Sequence, residues 1–69
     1  MKRQSVQSSN IASIGYDPAT QTLEVEFLNG GVYQYFGVPQ NVYQGIMGAS
    51  SHGEYLAQHI KGHYRYSKV

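Results

Sequence analysis

The 69-residue chain has no cysteine and no tryptophan, only two prolines and four acidic residues, and no lysine or arginine between residues 4 and 60. Without cysteine it can form neither a disulfide staple nor a thiolate metal cluster. No apolar run approaches the ~20 residues of a membrane span, and Met1-Lys2-Arg3-Gln4-Ser5 leads into polar residues where a signal peptide would place its apolar stretch. The expected location is therefore the cytoplasm, without a membrane partner. A domain of this size buries only about 60% of the surface its unfolded chain exposes. With no staple available, a homo-oligomer that carries the core across a subunit boundary is the expected remedy.

The net charge of +1 is unevenly spread. Lys2 and Arg3 lie at one end, Lys61, Arg65 and Lys68 at the other, and all four acids fall between them. Phosphate-backbone affinity scales with the number of phosphates neutralised, so a long basic cleft is excluded unless the termini meet in one edge. The acids have structural readings: Asp17 in a turn, Glu24 and Glu26 on a strand surface, and Glu54 in a helix cap. No spare carboxylate then remains to orient a histidine behind one of the serines, and the chain reads as non-enzymatic. His52, His59 and His63 are spaced for successive turns of a helix, but Gly62 interrupts it and no further ligand completes a tetrahedron. The sequence therefore predicts no metal and no cofactor.

What is present is aromatic: seven tyrosines and two phenylalanines. Residues 10–16 read as a strand ending at the turn pair Asp17-Pro18. Thr22-Leu23-Glu24-Val25-Glu26-Phe27 alternates apolar and acidic residues, the pattern of a strand with one wet face. Residues 32–36 form a third strand after Asn29-Gly30-Gly31. The loop between them decides the role of Tyr33 and Tyr35, because a one-residue slip moves every side chain to the other face. A two-residue Asn29-Gly30 turn sets Phe27 opposite Val32 and leaves both rings beside Glu24 and Glu26. A three-residue Asn29-Gly30-Gly31 loop sets Phe27 opposite Tyr33 and Val25 opposite Tyr35, with both rings over the core. The second register is favoured, since Val32, Gln34 and Phe36 make a less uniformly apolar set.

After Val38-Pro39 the period switches, and helices are predicted near 39–48 and 51–61. Val42, Tyr43, Ile46 and Met47 form the first apolar stripe, Tyr55, Leu56, His59 and Ile60 the second, and Ser51-His52-Gly53-Glu54 fits a capping box. The tail His63-Tyr64-Arg65-Tyr66 alternates basic and aromatic residues and could pair as a fourth strand. The predicted class is α+β, a three- to four-stranded antiparallel meander followed by two short helices packed on one face.

The ordered set Ser8-Ser9-x-Ile11, Ile14-x-Tyr16-Asp17, Leu23-x-Val25-x-Phe27, Gly30-x-x-Tyr33-x-Tyr35, Val38-Pro39, Tyr43, Ser51-x-Gly53-x-Tyr55 and Ile60-Lys61 resembles the KTSC domain. That family is named for the C-terminal domain of some lysyl-tRNA synthetases and also occurs as single-domain bacterial and phage proteins. The resemblance covers residues 8–66 and implies one domain over 8–69 behind a flexible N-terminus at 1–7. It also implies RNA as a ligand. The family pattern carries a basic residue between Ser51 and Gly53 and Phe-Asn after Tyr55, where this chain has His52 and Leu56-Ala57.

Tyrosine rings stack on bases and cations meet phosphates, so the expected partner is a nucleic acid or a nucleotide. The candidate binding residues are Tyr33, Tyr35, Lys61, His63, Tyr64, Arg65 and Tyr66. A small nucleotide or signal molecule, and a protein partner that meets the tyrosines at an interface, are the alternative ligands.

Overall fold

Alternation in Thr22–Phe27 sorts the sheet into an apolar and a polar face, and everything else is arranged around that division. The computed structural model describes residues 1–69. Strands β1 (Arg3–Ser5), β2 (Ile11–Asp17), β3 (Thr22–Phe27), β4 (Val32–Tyr35) and β5 (Tyr66–Lys68) form one antiparallel sheet in the order of the sequence. Between β4 and β5 the chain crosses one face as α1 (Gln40–Gly48) and α2 (His52–Tyr55), and α2 continues into a π-helical turn at Leu56–Ile60. No helix is long and apolar enough to cross a membrane.

The inner face carries Ile14 opposite Val25 and Leu23 opposite Tyr35. The pairing skips Ala12, and this bulge lets both Ile11 and Ile14, three residues apart, face inward. Val38, Ile46, Leu56 and Ile60 come down from the helical layer to close a core of nine buried apolar residues. Tyr16 stacks on Tyr43 of α1 at 4.7 Å and donates its hydroxyl to the Val38 carbonyl at 2.6 Å, which ties the start of the helical layer to β2. Val38 N–H also donates to the Gln21 carbonyl at 2.9 Å. The Ser51 hydroxyl accepts from Glu54 N–H at 3.3 Å and caps α2, which is half of the predicted capping box, since the Glu54 side chain makes no return bond.

Three features depart from the sequence reading. Residues 3–5, placed in a flexible N-terminus, are an edge strand, with Arg3 opposite Gly15 and Ser5 opposite Ser13. A Cβ at Gly15 would come within 2.9 Å of the Lys2 carbonyl and of Arg3 Cγ, so glycine is what admits β1 here. The C-terminal strand begins at Tyr66, not His63, and the sheet has five strands where three or four were predicted. His59, assigned to a buried stripe, is exposed and rests against the Tyr55 ring at 4.5 Å. In the π turn the Lys61 amide reaches back five residues to the Leu56 carbonyl (2.7 Å), so Ile60 takes the inward position and His59 is turned out.

The outer face has no helical cover, yet Glu24 is only 8% exposed. Its Oε1 accepts from Gln34 Nε2 at 2.8 Å and its Oε2 from Arg3 Nη1, while Glu26 Oε1 accepts from Ser13 Oγ at 2.9 Å. The Gln34 amide, and after it the Arg3 guanidinium, hold the Glu24 carboxyl below the usual carboxylate range, against the opposing effect of burial.

Two outcomes follow from this architecture. Tyr35 is 3% exposed, and Tyr35→Ala should cost about 3–5 kcal/mol of stability, read as a fall in the urea midpoint. An unchanged midpoint would contradict the inward register. The folded chain binds a proton at Glu24 less readily than the unfolded chain, so this carboxylate adds stability at neutral pH that disappears as pH falls through the acidic range. Glu24→Gln should therefore be less stable than the parent at pH 7 and should lose less of its remaining stability on acidification, as measured by urea midpoints across pH.

Candidate functional site

The hairpin between β3 and β4 positions the tyrosines. Phe27 N–H donates to Gly31 at 2.8 Å and Gly30 N–H returns to Phe27 at 2.9 Å, which closes a three-residue loop, Leu28–Gly30. Gly30 takes φ +95, where an L side chain is strained, and Asn29 Oδ1 secures the loop by accepting from Gly31 N–H at 2.9 Å. The loop is one residue earlier than predicted, so Tyr33 lies opposite Val25 and Tyr35 opposite Leu23. This shift moves the pairing by two positions and preserves the face. Both rings are on the inner side, as the three-residue register requires.

Strand β5 then lies beside β4, with Tyr66 opposite Tyr35 and Lys68 opposite Tyr33. Phe27 meets Tyr33 edge-on at 5.7 Å, Tyr33 lies 6.0 Å from Tyr66, and Tyr66 lies 5.9 Å from Tyr35. All three separations fall in the range of favourable aromatic pairs. The set grades from core to surface: Tyr35 is buried, Tyr33 half-buried and Tyr66 63% exposed. Burial, reinforced by the neighbouring Tyr33 and Tyr66, pushes the Tyr35 phenol above its ordinary value, so it stays a neutral hydrogen-bonding group.

The helical layer supplies the opposite wall. After the π turn Lys61 is extended and Gly62 turns the chain with φ +82, so both overhang the aromatic floor. The result is a groove of about 490 Å³, with Tyr33, Tyr35 and Tyr66 along its floor and Phe27, Asn29 and Lys61 at its sides. Lys61 is the one charged residue lining it. The carboxylates are placed elsewhere: Glu24 and Glu26 on the outer face, Asp17 at the β2–β3 turn accepting from Ala19 N–H, and Glu54 in the first turn of α2.

Four of the seven residues proposed from sequence, Tyr33, Tyr35, Lys61 and Tyr66, therefore line one groove. The other three do not line it. His63 is exposed and its Nε2 donates to the Gln58 carbonyl at 3.1 Å, Tyr64 packs half-buried against the core, and Arg65 is exposed with its carbonyl accepting from Phe36 N–H. Their alternating pattern suggested one strand face, but pairing begins only at Tyr66. Phe27 and Asn29 were missed, since one read as core and the other only as a turn former. Lys68 was not among the candidates, yet its register puts it on the same face as Tyr33.

The termini do not form a common basic edge. β1 and β5 are at opposite edges of the sheet, and Arg3 is engaged by Glu24. The three histidines are dispersed: His52 Nδ1 donates to the Ile46 carbonyl at 2.7 Å, His59 rests on Tyr55, and His63 is tied to Gln58. No group of three His, Cys, Asp or Glu side chains is placed to hold a metal ion.

The sequence profile of the KTSC domain matches residues 7–64. An uncharacterized protein of Stutzerimonas stutzeri is 47% identical over 70 residues, spanning 100% of this chain and 99% of its own length. A lysine–tRNA ligase of a Nostoc species is 40% identical over 63 residues, which cover 91% of this chain but only 11% of the ligase. The crystal structure of a KTSC domain protein from Yersinia pestis superposes with a TM-score of 0.96 at 46% identity, over 99% of this chain and 96% of that one. The chain belongs to the KTSC domain family, and its full-length relatives carry no enzymatic description.

Proposed function

We propose that this member of the KTSC domain family is a non-enzymatic binding module of the cytoplasm that recognises nucleic acid, single-stranded RNA in the first place, by holding a nucleobase in the tyrosine groove. The observation that carries this reading is the juxtaposition of an aromatic floor with a single charged lining residue, Lys61, in a groove that no carboxylate lines. Every base has a π-face, so rings such as the exposed Tyr66 and half-buried Tyr33 accept any of them, at about 1–3 kcal/mol per stacked base. Lys61 then meets the phosphate, and the neutral Tyr35 phenol forms the base of the groove.

The small number of available cations supports a short contact with the backbone and not an extended one. The relation to a stretch of a lysine–tRNA ligase supports RNA over other polyanions. The sequence pattern suggests the same binding role for Arg65, but Arg65 is not among the residues that line the groove, which makes it the natural control here.

Fluorescence anisotropy of a labelled single-stranded oligoadenylate RNA, titrated with protein over a range of salt, tests the assignment. Tyr66→Ala should weaken binding by roughly tenfold with the salt slope unchanged, because it removes stacking and no charge. Lys61→Gln should weaken binding and lower the salt slope by about 0.7, the value for one single-strand phosphate. Arg65→Ala should leave both nearly as they were. Loss of affinity in Arg65→Ala alone, with Tyr66→Ala and Lys61→Gln behaving as the parent, would move the site out of the groove.

A further inference from the structure

A second concavity, of about 410 Å³, adjoins the tyrosine groove and shares three residues with it: Phe27, Asn29 and Lys61. Its own residues are Ser9, Asn10 and Leu28. We infer that the two concavities form one trough that takes a dinucleotide step, with one nucleoside over the tyrosines, the next against Ser9, Asn10 and Leu28, and the connecting phosphodiester at Lys61. This inference rests on the nucleobase reading of the tyrosine groove.

The charge distribution supports the arrangement. In a dinucleotide the one internal negative charge lies between two rings, and in the trough the one charged residue belongs to both concavities. The second concavity has the chemistry of a nucleoside site without a second phosphate. Leu28 is 60% exposed at the loop tip, an apolar surface that the fold does not use. Ser9, Asn10 and Asn29 surround it with uncharged polar groups. The carboxamide oxygens of both asparagines are already occupied, Asn10 Oδ1 by the Ser8 hydroxyl at 3.0 Å and Asn29 Oδ1 by Gly31 N–H. Their side-chain N–H groups make no hydrogen bond within the protein, and they match the acceptor atoms of a ribose or a base edge.

The second concavity is also fixed in advance. Ser8 Oγ accepts from Ile11 N–H at 3.2 Å, and the Asn10 carbonyl accepts from Leu28 N–H at 2.9 Å, which joins the β1–β2 connection to the hairpin loop. A site held by its own hydrogen bonds loses little freedom when a ligand arrives.

The test compares AMP, ApA and ApApA by NMR titration of the isotopically labelled chain. AMP should perturb the amides of Tyr33, Tyr35, Lys61 and Tyr66, and ApA should in addition perturb Ser9, Asn10 and Leu28. ApA should bind about tenfold more tightly than AMP, the gain expected from a second ring contact, and ApApA should add less than about threefold more. Ser9→Leu fills the second concavity from an exposed loop position, and in this variant the ratio of ApA to AMP affinity should fall to about one. An ApA affinity equal to that of AMP in the parent chain would overturn the dinucleotide inference and leave the single-base reading standing. A full further gain for ApApA would overturn the limit of two units. Failure of both AMP and ApA to perturb the groove would overturn the inference together with the reading beneath it.

Discussion

The loop that closes between Phe27 and Gly31 decides which side of the sheet is core, and the rest of the molecule is built on that decision. Only two parities exist for a β-hairpin. In the observed one, Leu23, Val25, Tyr33 and Tyr35 share a face, while Glu24, Glu26 and Gln34 share the other. The opposite parity would carry the carboxylates or the rings to the wrong side, and burying an unpaired carboxylate costs far more than a hairpin can recover. Gly30, with its positive φ, and the Asn29 carboxamide make the favourable parity easy to reach. A core ring, a groove floor and a polar outer face all follow from one short loop.

The outer face shows how a sheet without cover on one side protects its polar atoms. Glu24 and Glu26 are satisfied by Gln34, Arg3 and Ser13, which come from three other strands of the sheet. Arg3 adds a side-chain anchor to β1, a three-residue edge strand with exposed side chains that is otherwise held by its pairing with β2. A charge placed on an edge strand also discourages pairing with another sheet.

The elements legible in the sequence were those specified by neighbours along the chain. Alternation in Thr22–Phe27, the period switch after Val38 and the Ser51 cap are local signals, and each is met in the structure. The face of Tyr33 and Tyr35 was legible for the same reason, although the loop boundary was one residue off. What escaped was determined at a distance. β1 depends on Glu24, twenty-one residues beyond Arg3, and on the missing side chain of Gly15. The π turn widens the helix at Leu56–Ile60 and exposes His59, a local change of pitch that α-helical periodicity does not encode. Of the seven candidate residues, Tyr33, Tyr35, Lys61 and Tyr66 line the groove, while His63, Tyr64 and Arg65 lie outside its lining. The sequence holds no sign that pairing would begin only at residue 66, or that Phe27 and Asn29 would border the same groove.

The strands lie in the sheet in the order in which they occur in the chain, so each of the first three pairings closes over a short connection. Only β5 must return across the whole helical layer, pairing Lys68 with Tyr33 over thirty-five residues. Loop closure of that length is the slow and entropically costly part of such a topology. Short terminal strands are also the first to open in a native protein. The exposed ring of the groove therefore sits on the strand whose docking closes the longest connection in the sheet. The core can stay intact while β5 opens, so the floor of the groove is only as persistent as the pairing of three residues.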